Sequence, residues 1–252
     1  MKRFAAGAAL VLLLAAGVAP AQDDNQVDKR KAAQANAQLA LAYLQQGDVM
    51  AAREKVEKAL EQDPHTEMVQ LAAGFLYDRL GDDKKAKAHF EEALELSRDD
   101  PNILNSYASF LCVKGDRKRG EELLLQAATS PLNRSPEIAY ANAGRCARAD
   151  GRPQDAEKYL RQALTYRADQ LDALFEMADL EHELGNDMQA RAFLERYAST
   201  APISAASLWL AWRIERALGD QERAAMYADR IRKDFPMSAE MSALREAERA
   251  QK

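Results

Sequence analysis

Six glycines recur along the 252-residue chain at almost constant spacing: Gly47, Gly81, Gly115, Gly151, Gly185 and Gly219 stand 34, 34, 36, 34 and 34 residues apart. Each is followed by a polar residue, in order Asp48, Asp82, Asp116, Arg152, Asn186 and Asp220. A tight turn at so regular an interval implies one supersecondary unit copied six times, since such a unit cannot bury its apolar face alone and must stack on its neighbours. Aligned on the glycines, the units begin at Ala33, Glu67, Pro101, Glu137, Leu171 and Ala205. Their eighth, twentieth and twenty-seventh residues should then be small, because two helices of a hairpin and the first helix of the next approach closely there. They read Ala40, Ala52, Ala59; Gly74, Ala86, Ala93; Ala108, Gly120, Ala127; Gly144, Ala156, Ala163; Ala178, Ala190, Tyr197; and Trp212, Ala224, Ile231. Only three of eighteen are large, all at the C-terminal end, where a larger residue can cover the last hairpin. An amphipathic bundle that is merely rich in alanine does not predict small residues in a frame set by glycines.

Thirty-four residues is the length of the tetratricopeptide helix-turn-helix. The expected fold is therefore all-α: a right-handed superhelical solenoid of about six tetratricopeptide (TPR) units over 33–236, with a C-terminal capping helix over 237–252. Composition agrees. Charged residues make up 30%, hydrophobic residues 47% and aromatics 7%, and Ala, Leu, Glu, Lys, Arg and Gln, the good helix formers, predominate over Val, Ile and Thr. Pro64, Pro202 and Pro236 sit at unit ends, where proline stops a helix. Two extra residues between Gly115 and Gly151 fall in Thr129–Pro136, a proline- and serine-bearing stretch that reads as a loop. After Pro236, Ser238 can cap a final helix carrying Met241, Leu244 and Ala247.

Residues 1–21 read as an export signal: Lys2 and Arg3, an apolar run centred on Ala8 to Ala16, then Ala19-Pro20-Ala21 before polar Gln22. The apolar stretch from Phe4 to Val18 falls short of the roughly 20 residues that span a bilayer. Cleavage after Ala21 would change the formal charge from −5 to −7, with 33 Lys+Arg against 40 Asp+Glu. An exported, periplasmic, acidic chain without a membrane span is expected, monomeric by itself. No cysteine precedes Cys112, so a lipid-accepting thiol is not found, and any association with the outer membrane would run through a partner. Residues 22–32 are polar and without apolar period and read as a flexible leader.

The two cysteines, Cys112 and Cys146, take positions twelve and ten of the first helices in adjacent units three and four. Position ten is apolar in every other unit, so Cys146 also fits as a small buried core residue; position twelve is mostly polar. An even count in an oxidising compartment favours a structural disulfide, and the absence of Cys-x-x-Cys argues against a reactive redox pair.

First helices stacked in a solenoid build the concave wall that such proteins use for binding, and positions two, five, nine and twelve face it. Leu41 and Leu44 begin the wall; the candidate groove continues through Met68, Leu71 and Phe75, then Asn102, Asn105 and Ser109, then Arg145 and Arg148, then Phe175, Asp179 and His182, and ends with Trp209, Arg213 and Arg216. The wall thus runs from apolar through polar to cationic-aromatic, suited to holding a segment of a partner by side-chain amides, arginines and aromatic anchors. Phe175 and Trp209 read equally well as packing between hairpins. The arginines could equally pair with acids such as Asp179 and Glu181 on a solvated face.

Catalysis finds little support. His65, His89 and His182 lie in different units, and His182-Glu183 lacks a second histidine four residues on, so no metal-ligand spacing is present. No Gly-x-Ser-x-Gly elbow or glycine-rich phosphate loop occurs. A pI near 5.4 offers no footprint for nucleic acid. The reading is a non-enzymatic binding protein with no cofactor and a protein partner.

Several strings go beyond the repeat: Asn105-Ser-Tyr-Ala-Ser-Phe-Leu-Cys112, Ser130-Pro-Leu, Ala141-Asn-Ala-Gly-Arg-Cys146, Ala192-Phe-Leu-Glu-Arg-Tyr197 and Ser207-Leu-Trp-Leu-Ala-Trp-Arg-Ile-Glu-Arg-Ala-Leu-Gly-Asp220. In these the chain resembles the PilF/PilW family of type IV pilus biogenesis and stability proteins, over nearly all of its length after residue 21. The resemblance implies a periplasm-facing adaptor, pilotin-like, that helps the pilus secretin assemble in the outer membrane or helps pili persist, with the secretin or another pilus assembly component as partner. It also implies a disulfide between Cys112 and Cys146. The signal ending Ala-Pro-Ala-Gln departs from the lipoprotein pattern of that family. A general periplasmic TPR adaptor for another envelope or secretion complex is the competing reading.

Overall fold

The computed structural model describes residues 24–250. Every turn glycine adopts the left-handed backbone that the repeat requires, with φ between 71° and 98° at Gly47, Gly81, Gly115, Gly151, Gly185 and Gly219. A Cβ there would be strained, so glycine ends the first helix of each hairpin. The residue that follows starts the second helix. Asp48, Asp82 and Asp220 each accept a hydrogen bond from the backbone N–H three residues on, at Ala51, Lys85 and Arg223, satisfying one of the donors that a helix start leaves open.

Six hairpins result among the described residues. They pair α1 (Asp24–Gln46) with α2 (Val49–Gln62), α3 (Glu67–Arg79) with α4 (Asp83–Leu96), and α5 (Pro101–Lys114) with α6 (Arg117–Thr129). The C-terminal half pairs α7 (Pro136–Ala149) with α8 (Pro153–Tyr166), α9 (Leu171–Glu183) with α10 (Asp187–Ala198), and α11 (Ala205–Ala217) with α12 (Gln221–Asp234). Each first helix packs on its own partner, each second helix packs on the first helix of the next hairpin, and α1 meets α3, α5 meets α7, α7 meets α9 and α9 meets α11, so the first helices stand side by side in one layer. The fold is a TPR solenoid.

The frame of small residues is the buried seam. Ala40, Ala52, Ala59, Ala86, Ala93, Ala108, Ala127, Ala156, Ala163, Ala178 and Ala190 are all wholly inaccessible. Glycine replaces alanine where the facing residue is bulkier: a Cβ on Gly74 would stand 2.9 Å from the Phe90 ring, and one on Gly144 2.6 Å from Leu160. Of the three large exceptions, Trp212 and Ile231 pack with Met241 and Leu244 of α13 (Ala239–Arg249), while Tyr197 fills the space between hairpins five and six beside Phe175. Ser238 caps α13 by accepting from the Met241 N–H at 3.1 Å.

A bond between Cys112 and Cys146 ties α5 to α7, with Cα atoms 5.5 Å apart. Closing a loop of 34 residues constrains the unfolded chain by about 3–4 kcal/mol. The two-residue insertion is an ordered loop: the Asn133 amide donates to the Ala127 carbonyl at 2.9 Å, and its oxygen accepts from the Ser135 N–H at 2.8 Å.

One expectation is corrected. Within the stretch read as a flexible leader, residues 24–32 are helical, because α1 begins at Asp24. Lys29, Arg30, Lys31 and Ala32 are good helix formers, so the helix runs past the unit boundary without needing an apolar face. The extension lies beside the α2–α3 connection, where Arg30 approaches Glu67 at 3.7 Å and Asn25, Gln26 and Lys29 line a shallow hollow with Asp63, Pro64 and His65. The signal reading of residues 1–21 lies outside the described residues.

Candidate binding surface on the first-helix layer

The apolar end of the expected groove exists as a hollow of about 530 Å³ between α1 and α3, lined by Leu41, Leu44 and Phe75 and rimmed by Gln45, Asp78 and Arg79. Phe75 is held edge-on by Phe90, ring centroids 5.3 Å apart. Met68 and Leu71 do not line the hollow; both pack against the buried clusters between hairpins.

The middle of the layer is polar and connected. Arg145 donates from Nη2 to Asn142 Oδ1 at 2.6 Å, and Asn142 donates from Nδ2 to Asn105 Oδ1 at 2.8 Å. Ser109 donates its hydroxyl to the Asn105 backbone carbonyl at 2.8 Å. Asn102 is exposed on the turn before.

The cationic end is an ion network. Arg148 reaches across from α7 to three carboxylates of α9, Glu176 at 2.9 Å, Asp179 at 2.5 Å and Glu183 at 2.6 Å, and Arg213 of α11 holds the other oxygen of Asp179. Burial alone would raise the Asp179 carboxyl, but the hydrogen bonds and charges of Arg148 and Arg213 outweigh it and hold its pKa below the ordinary carboxylate value. Burial likewise opposes the charge on Arg148, and the bonds to Glu183 and Asp179 overcome it and raise its pKa. Asp179 is the hub. Of the two acids named from the sequence, it alone meets the wall arginines; Glu181 is buried and instead accepts from Asn186 at 2.8 Å, with Arg161 at 3.8 Å.

The other residues expected on this wall have structural partners. His182 Nδ1 contacts Asp187 Oδ1 at 2.5 Å, linking the end of α9 to the start of α10. Phe175 packs on Tyr197 with centroids 5.4 Å apart. Trp209 stacks on Trp212 at 4.7 Å, and the Arg216 guanidinium lies over the Trp212 ring, 5.0 Å from its centroid. Cys112, at position twelve, belongs to the disulfide.

Reading positions two, five, nine and twelve alone left out Gln45, Arg79, Asn142, Glu176 and Glu183. The repeat frame places Glu176, Asp179 and Glu183 on the next first helix, 28, 31 and 35 residues after Arg148 and close to one repeat on, but does not say which of them the arginine takes. Away from these residues, hollows of about 430 and 480 Å³ share Leu104 of α5 and Gln126 of α6, the first reaching Glu91 of α4 and the second the loop at Pro131 and Leu132. No cluster of His, Cys, Asp and Glu among the described residues could hold a metal ion, and no helix among them is long and apolar enough to cross a membrane.

Comparison with known proteins agrees with this architecture. Two different tetratricopeptide-repeat family profiles match, one over residues 37–101 and the other over residues 147–211. Type IV pilus assembly protein PilF of Pseudomonas aeruginosa is 28% identical over 240 residues, 92% of this chain and 95% of PilF. An uncharacterized Haemophilus influenzae protein is 28% identical over 157 residues, 61% of this chain and 87% of that protein. Among solved structures, PilW, described as a widely conserved type IV pilus biogenesis factor, superposes with a TM-score of 0.75 at 29% identity, covering 84% of this chain and 97% of PilW. Pseudomonas aeruginosa PilF superposes with a TM-score of 0.72 at 26% identity, over 87% and 99%. The chain carries tetratricopeptide repeats, is homologous to PilF and shares its fold with PilW.

Proposed function

We propose that this chain is a non-enzymatic periplasmic scaffold in type IV pilus biogenesis, assisting secretin assembly or pilus stability by holding a protein partner on its first-helix wall. The observation that carries this reading is the end-to-end likeness to PilF, 92% of this chain against 95% of PilF, on a repeat fold whose open hollow at Leu41, Leu44 and Phe75 has the apolar floor and polar rim of a protein-binding site. Helical repeats suit the task, because a rigid curved wall offers many weak contacts to an extended partner without rearranging.

Deletion of the gene tests the proposal, with secretin multimers and surface pili as the readouts. Both should fall and return on complementation with the wild-type gene but not with Phe75→Asp, which places a charge in the hollow. Normal multimers together with normal pili in the deletion strain would reject a pilus role and leave a TPR adaptor of another envelope complex.

A further inference from the structure

The chain of bonds through Arg145, Asn142 and Asn105 has a direction imposed by chemistry. A guanidinium donates and does not accept, so the Arg145 nitrogen must meet the carbonyl oxygen of Asn142. That turns the Asn142 Nδ2 toward Asn105, which answers with its own oxygen. Asn105 is left with its donor, Nδ2, as the group it can still offer. The patch is therefore donor-rich.

The four wall arginines differ in the charge they have left to give. Arg148 and Arg213 are neutralised by Glu176, Asp179 and Glu183, and Arg216 lies over Trp212. Arg145 is exposed, its bond is to a neutral amide, and no carboxylate among the described residues lies within ion-pair distance of it. Of these four wall arginines, Arg145 is the one whose charge is left to an amide and is offset by no carboxylate among the described residues.

We propose that Arg145, oriented through Asn142 and Asn105, receives an acidic side chain of an extended partner segment, whose apolar residues enter the hollow of Leu41, Leu44 and Phe75. The inference rests on the reading of this wall as a partner surface and narrows the partner's chemistry. Helix axes pack about 10 Å apart, so from α3 to α7 is roughly 20 Å, a span of about six extended residues. The segment then carries an aliphatic or aromatic pair followed, about six residues on, by Glu or Asp.

Two synthetic peptides test it, Ac-FLGSGSGEG-NH2 and the same sequence with Gln in place of Glu, titrated by NMR and fluorescence anisotropy against the chain beginning at Gln22. The Glu peptide should bind about fivefold more tightly than the Gln peptide, as expected for one partly exposed charge pair, and it should shift the side-chain amide signals of Asn105 and Asn142. The preference should vanish in Arg145→Gln and shrink as salt is raised. Equal binding of the two peptides to the wild-type chain, or a preference that survives in Arg145→Gln, overturns the acidic-residue assignment alone. Failure of both peptides to bind the wild-type chain overturns the partner-surface reading with it.

Discussion

Gly120 lies so close to Cys112 that a Cβ on the glycine would stand 2.5 Å from the sulfur and 2.8 Å from the Ala108 carbonyl oxygen. The second helix of hairpin three therefore presses against the disulfide, and glycine is required for a reason unrelated to its backbone freedom. Gly120→Ala should destabilise the chain by about 1–3 kcal/mol, the usual effect of overpacking a close seam. Thermal unfolding followed by circular dichroism measures it, and an unchanged Tm would show that α5 and α6 can separate without loss.

The covalent tie between α5 and α7 acts mainly on the unfolded chain. Cys112→Ser with Cys146→Ser should lower stability by about 3 kcal/mol while leaving the helical content intact, because every hairpin retains its own turn and seam. Urea unfolding of the two proteins gives the difference directly. A loss below about 1 kcal/mol would mean that packing alone already holds hairpins three and four in register.

Two arginines three residues apart on α7 should behave differently. Arg148→Ala leaves Glu176, Asp179 and Glu183 facing one another with one balancing charge fewer, and should cost about 2–4 kcal/mol, as for other ion networks broken on one side. Arg145→Ala removes one exposed side chain and should change stability by no more than about 0.5 kcal/mol. Equal effects in urea unfolding would contradict the assignment of Arg148 to a structural network.

The Asp179 carboxyl has a folded-state pKa below its unfolded one. Such a group contributes stability that is fully present above the unfolded pKa of about 3.9 and is lost as pH falls through the folded value. The stability gap between the wild-type chain and Asp179→Asn should hold steady from pH 7 to 5 and close as pH drops below about 4. A gap that widens on acidification would show that the arginines do not stabilise the charged form.

Substitution of a turn glycine tests the repeat itself. Gly81 has φ 76° and open space around it, so Gly81→Ala meets no clash and registers backbone strain alone, about 1 kcal/mol. The Tm of this variant should drop by a few degrees. No change would mean that the turn relaxes into an ordinary conformation.

The turns, the alanine seam and the cap at Ser238 were legible because each depends on residues close in sequence or one repeat away, and a fixed period turns long-range contacts into a readable spacing. Gly47 to Gly219 set the hairpins through their own φ angles, without help from distant residues. Tertiary structure decided what the long polar side chains do. Position nine carries Arg145, Asp179 and Arg213 in successive units, alike as wall residues, yet packing hands Asp179 to Arg148 and Arg213 and leaves Arg145 to an amide. It also decided that α1 starts at Asp24, since a polar stretch of helix formers is stable as helix only when a folded hairpin is there to extend. Local backbone preference repeats with the sequence, whereas a flexible charged side chain takes whichever partner the assembled layers bring within reach, and that choice exists only in three dimensions.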